Sequence, residues 1–146
     1  MFGEVHGPIL RERTRGISYE TSDPWTWLTR AKSNLARARL GRTSPEVAWE
    51  DPCFDAQQAA EKALKALLIA LGIPFPKTHD LARLLELIRP HLPVPVELEA
   101  LARLNPFAVA GRYPGDLPEA TEEDWKEALL LAEQAVAWAE RILAGD

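Results

Sequence analysis

Two groups of residues have types and spacings that could do chemistry. The first is Gln57-Gln58-Ala59-Ala60-Glu61-Lys62-Ala63-Leu64-Lys65-Ala66. On a helix, Lys62 and Lys65 project from the same side, with Gln58 one turn before Lys62. Two ammonium groups and an amide so placed can hold a phosphate and a base edge. The same spacings also make Gln58–Lys62 and Glu61–Lys65 pairs one turn apart, each supporting the helix by about a few tenths of a kcal/mol. The residues alone leave both readings open. The second group is Ala110-Gly111-Arg112-Tyr113-Pro114-Gly115-Asp116. Arg112 offers a planar fork suited to phosphate or carboxylate, and Tyr113 a ring for stacking. An Arg–Asp pair beside a buried tyrosine is the alternative.

Other chemistries find no support. The chain has no glycine-rich phosphate loop, no His-Glu-x-x-His pair and no Gly-x-Ser-x-Gly elbow. Its histidines, His6, His79 and His91, are not spaced as metal ligands, so no metal site is expected. Glu61 and Glu122 are not paired for acid–base work. Cys53 is the single cysteine, which excludes an intrachain disulfide and a cysteine-based zinc cluster and fits a reducing, cytoplasmic setting. Its expected role is that of a small core residue rather than a nucleophile.

At 146 residues, 47% of them hydrophobic, the chain has the size and apolar content of one domain with its own core. No apolar run reaches the roughly eighteen residues of a membrane span. The net charge of −5 argues against indiscriminate DNA binding. The charge is uneven. Residues 1–42 carry eight Lys/Arg against four Asp/Glu, and residues 92–146 carry four against eleven. Solvated helix faces account for this asymmetry, and an acidic-partner or nucleic-acid surface is the other reading.

The elements that must position these groups are helices. Residues 1–22, with Gly3, Gly7, Pro8 and a basic stretch, lack apolar periodicity and read as a flexible leader to a domain over 23–146. Asp23-Pro24 is a capped helix start, and Trp25, Leu28, Ala31, Leu35 and Ala38 mark the apolar face of a helix ending at Gly41. Asp51-Pro52 repeats the signal, starting a helix of roughly 30 Å that runs to Leu71. One arc of this second helix carries Asp55, Gln57, Gln58, Glu61, Lys62 and Lys65, and the opposite arc is rich in alanine. After Lys65, the run Ala66-Leu67-Leu68-Ile69-Ala70-Leu71 is apolar all round, and a homodimer contact is the reading preferred for covering it. Thr78 is expected to cap a third helix over about 79–89, built on Leu81, Leu84, Leu85 and Ile88. A shorter helix is expected over about 95–104 on Val96, Leu98, Leu101 and Leu104. A long functional loop is expected from Asn105 to Ala120. Thr121 and Asp124 form a capping box opening a last helix to about Leu143 on Trp125, Leu129, Ala132, Val136 and Ala139. With no alternating strand pattern, the fold class is all-α, an up-and-down antiparallel bundle of about four to five helices.

Read in order, the block from Phe54 to Leu68, then Lys77-Thr78-His79-Asp80-Leu81, then Arg112-Tyr113-Pro114 resembles the HEPN family, named for higher eukaryotes and prokaryotes nucleotide-binding. The resemblance covers residues 24–144. It implies a helical bundle, usually a homodimer, often encoded in prokaryotes beside a small nucleotidyltransferase as a toxin–antitoxin-like module. Carried over residue by residue, it implies a nucleotide site, for ATP or GTP, of Gln58, Glu61, Lys62, Lys65, His79, Arg112 and Tyr113, with no cofactor required. Many HEPN proteins are metal-independent ribonucleases using an arginine followed four to six residues later by histidine. Here no histidine follows Arg112, and Arg89 precedes His91 by two positions. A ribonuclease acting on RNA through His79, Arg112 and Tyr113 across a dimer interface, and a non-catalytic helical scaffold, are the alternatives to a nucleotide-binding subunit.

Overall fold

A computed structural model of the chain describes residues 23–109 and 119–145. The leader over 1–22 and the Arg112–Tyr113 segment lie outside the described residues. The described residues form helix α1 (Pro24–Leu40), helix α2 (Glu50–Leu71), helix α3 (Leu81–Ile88), a 3-10 helix (Val96–Ala108) and helix α4 (Glu122–Leu143), with no strand among them. The all-α reading holds.

Local chemistry explains most boundaries. The Asp23 carboxylate accepts from the Trp25 amide at 2.9 Å, with Pro24 in the first turn. Gly41 closes α1 at φ +63°, where a side chain would be strained, and a Cβ there would lie 3.1 Å from the Trp125 ring. The capping box of α4 is complete. Thr121 Oγ1 accepts from the Asp124 amide at 3.1 Å, and the Asp124 carboxylate from the Thr121 amide at 2.9 Å.

Other boundaries differ from the sequence expectation, each for a tertiary reason. α2 begins at Glu50, preceded by Trp49 with no side-chain cap, so Asp51 is not the cap. Packing holds this end instead. Trp49 stacks against Trp125 at 5.4 Å, Arg42 lies over Trp49 at 5.3 Å, and Glu50 Oε2 accepts from the Ala120 amide at 2.9 Å. α3 starts at Leu81 and is capped by Asp80, whose carboxylate accepts from the Ala82 amide at 3.0 Å, not by Thr78. Thr78 Oγ1 accepts from the Asp80 amide at 3.0 Å. Asn105, arriving from the 3-10 helix, accepts from the Leu81 amide and donates to Asp80, both at 3.0 Å.

The segment expected as a short α-helix is 3-10 and extends through Asn105 and Pro106 to Ala108, into the stretch expected as loop. Its buried residues Leu98, Leu101 and Leu104 recur every third position, the period at which side chains line up in a 3-10 helix. Val96 and Trp25, counted among the apolar faces, are exposed at the starts of their elements.

α2 is the central element, packed against α1, α3, the 3-10 helix and α4. Ala56, Ala59, Ala60, Ala63 and Ala66 are all fully buried, and such small side chains let neighbouring helices approach closely. α1 runs antiparallel to α2, since Arg37 meets Asp55 at one end and Trp27 meets Lys65 at the other. It is also antiparallel to α4, through the ion pairs Lys32–Glu140 and Arg39–Glu133. Ala66, Leu67 and Leu68 are fully covered by the chain's own core. Further along the run Ile69 and Leu71 are partly buried and Ala70 is exposed.

Candidate functional site

The arc of α2 that periodicity marks as polar is not a solvent face. Asp55 is 6% exposed, Gln57 0%, Glu61 4% and Lys65 8%, while Gln58 and Lys62 are half-buried. Buried polar groups are costly unless hydrogen-bonded, so their partners decide what the arc can do.

On one flank everything converges on Glu61. Lys65 Nζ donates to Glu61 Oε2 at 2.8 Å, and Gln57 Nε2 donates to Glu61 Oε1 at 3.1 Å. His79 Nδ1 lies 2.9 Å from Glu61 Oε1. Gln57 Nε2 also donates to the His79 carbonyl at 3.2 Å, and its Oε1 accepts from Gln58 Nε2 at 2.8 Å. Gln58 Nε2 reaches Glu61 Oε1 at 3.4 Å. Burial alone would raise the Glu61 carboxyl. The hydrogen bond and charge of Lys65, with the bonds from His79 and Gln57, outweigh it and hold the group below its ordinary value. An ionised carboxylate only accepts, so the Nδ1 of His79 carries the proton. The Nε2 edge has no partner among the described residues, and the imidazole is 59% exposed.

Lys65 is thereby committed to the interior. Its ammonium sits 6.0 Å from the Trp27 ring centroid and 5.6 Å from that of Phe75, a cation between two aromatic rings. Of the two helix-supporting pairs the sequence allows, Glu61–Lys65 forms. Gln58–Lys62 does not, because Gln58 turns toward Gln57 and Lys62 toward α1.

On the other flank Lys62 Nζ donates to Asn34 Oδ1 at 2.7 Å, and Asn34 Nδ2 donates to Asp55 Oδ1 at 3.0 Å. Arg37 Nε stands 3.4 Å from Asp55 Oδ2. Lys62 is pushed below the ordinary lysine value, first by burial, with the nearby charges of Glu61 and Asp55 opposing and those of Arg30 and Arg37 reinforcing the shift.

The structure thus brings together Gln58, Glu61, Lys65 and His79, and turns Lys62 to the other flank of α2. Arg112 and Tyr113 lie outside the described residues. Sequence reasoning missed Asn34, Asp55, Arg37, Trp27 and Phe75. A signal for Asn34 was present: it is a polar residue three after Ala31 and four before Ala38, at a position where the apolar face of α1 predicts burial, and it is buried. Cys53 is fully buried with its thiol pushed up to about 12, by burial first and by the charges of Asp124 and Glu50. Among the described residues no cluster of His, Cys, Asp or Glu could hold a metal ion. No helix among them is long and apolar enough to cross a membrane.

A family model described as the HEPN domain matches residues 25–142. Among solved structures, the chain is similar to TT1696 from Thermus thermophilus, with 34% identity and a TM-score of 0.65, covering 83% of this chain and 98% of that one. It is also similar to ST0689, an archaeal HEPN homologue, with 27% identity and a TM-score of 0.63, covering 80% of this chain and 94% of that one. No curated protein gives a significant match.

Proposed function

Since the chain belongs to the HEPN domain family, we propose that it is a nucleotide-binding subunit for ATP or GTP, acting as a homodimer beside a small nucleotidyltransferase in a toxin–antitoxin-like module. The observation that carries this reading is the Glu61-centred network. It fixes the tautomer and orientation of His79, whose Nε2 has no partner among the described residues, and the next residue on the helix, Lys62, is held by Asn34. An oriented imidazole edge and an ammonium group are suited to a base or ribose and to a phosphate, respectively. Gln58, half-buried one turn before Lys62, supplies an amide for the same ligand. The Arg112–Tyr113 segment follows the 3-10 helix in the chain and is a further candidate for ligand contact.

The test is isothermal calorimetry with ATP and GTP on the full chain and on His79→Ala. Saturable binding that weakens on removing the imidazole supports the reading. Absence of heat at millimolar nucleotide would sink its nucleotide half. Light scattering in solution checks the dimer, and co-purification with a nucleotidyltransferase checks the partner.

One observation favours the ribonuclease reading. A histidine held on a buried carboxylate through Nδ1, with Nε2 exposed, is arranged as a proton-transfer group. RNA cleavage that survives EDTA and disappears in both His79→Ala and Arg112→Ala would establish it. Intact RNA at high protein concentration would remove it.

A further inference from the structure

Arg30, Asn34 and Arg37 follow one another at four and three residues on α1, so they form one stripe of the helix. Lys62 faces that stripe from α2, held by Asn34 Oδ1 at 2.7 Å. The asparagine has no freedom to turn its amide the other way, because its Nδ2 is used on Asp55 at 3.0 Å. Three cations, Arg30, Arg37 and Lys62, therefore lie along the seam of α1 and α2, where the acids acting on Lys62 are Glu61 and Asp55, the latter engaged by Arg37 at 3.4 Å. Glu61 is itself taken by Lys65 at 2.8 Å.

The seam thus carries an excess of positive charge built around a half-buried ammonium. Lysine has three donor protons, and among the described residues Lys62 uses one of them. Arg30 is exposed and has no carboxylate partner among the described residues. Burial disfavours the Lys62 charge, as do its arginine neighbours, against the opposing charges of Glu61 and Asp55. An arriving anion reverses both effects, since it offers the ammonium acceptors and neutralises the surplus.

We propose that Arg30, Lys62 and Arg37 form an oxyanion site between α1 and α2 that takes the phosphate group of the ligand, with Asn34 as the positioning residue for Lys62. The inference rests on the nucleotide-binding reading for the source of that phosphate and assigns its place. The phosphate lies on the α1 side of Lys62, and Lys65 takes no part in holding it because it is spent on Glu61. The arginine forks supply paired donors to phosphate oxygens, and the ammonium supplies a point charge between them.

The experiment is calorimetry of the full chain with inorganic triphosphate, ATP, GTP and adenosine, repeated on Arg30→Ala with Lys62→Met and on Lys62→Arg. The melting temperature of each variant reports that it is folded. The expected result is that triphosphate binds in competition with ATP, that ATP affinity falls at least tenfold in the double variant, and that Lys62→Arg retains most of it. Binding should also weaken as salt is raised, because the site is partly solvated. ATP binding that is unchanged in the double variant would overturn the site while leaving the nucleotide reading intact. Triphosphate binding that is lost in the variant, with no binding of ATP or GTP, would support the site and sink that reading. Absence of binding by triphosphate and nucleotides alike would overturn both.

Discussion

Glu61 and Lys62 are adjacent in sequence, yet they face two regions with opposite electrostatics. The Glu61 flank is closed. One carboxylate receives Lys65, Gln57 and His79, its ammonium partner is enclosed by Trp27 and Phe75, and the charges of Glu61 and Lys65 cancel. The Lys62 flank is open, with two arginines, the Asp55 carboxylate and an ammonium whose charge is disfavoured by burial. The difference separates two uses of buried polarity. A completed network holds an element in place, whereas an incomplete one leaves interaction free energy for a ligand.

The largest expected effect of breaking this contrast is on the closed side. Glu61→Gln should destabilise the protein by about 3 kcal/mol or more, because it strands the Lys65 ammonium between α2 and the aromatic rings. Chemical denaturation measures it. If the flank is structural, Glu61→Leu combined with Lys65→Met should recover most of the loss, since an apolar pair of similar volume replaces a buried ion pair at little cost.

A smaller effect is expected at the joint between the flanks. Asn34→Ala removes the acceptor of Lys62 and the donor to Asp55, leaving a half-buried ammonium and a buried carboxylate each short of a partner, at about 1–3 kcal/mol in the same assay.

The acid limb of stability sharpens the comparison by sign. The Glu61 pKa in the folded chain lies below its ordinary 4.5, so the unfolded chain binds that proton more readily. The resulting stabilisation is complete above pH 4.5 and is lost as the pH falls through the lowered folded value. Glu61→Gln should therefore flatten the dependence of the denaturation midpoint on pH below about 4.5.

The smallest change is expected on the open side. Lys62→Met should cost about 1 kcal/mol, because it leaves Asn34 Oδ1 without a donor but removes no carboxylate partner. A loss as large as that of Glu61→Gln would make both flanks structural and end the contrast.

Much of the fold was legible in the chain. The Asp23-Pro24 start, the stop at Gly41, the Thr121–Asp124 box and the apolar faces of α1, α2, α3 and α4 rest on interactions between residues one to four apart, which the sequence determines directly. The same spacing placed Gln58, Glu61, Lys62 and Lys65 on one side of one helix. Only the tertiary structure decided the rest. It buried Asp55, Gln57, Glu61 and Lys65, moved the α3 cap to Asp80, brought His79 to Glu61 across eighteen positions, and turned Lys62 away from Gln58 toward Asn34. Periodicity reports which residues share a face, but whether that face meets water depends on which other element arrives there. A charged side chain chooses its partner by distance and desolvation in the folded bundle, and neither is a property of a single helix.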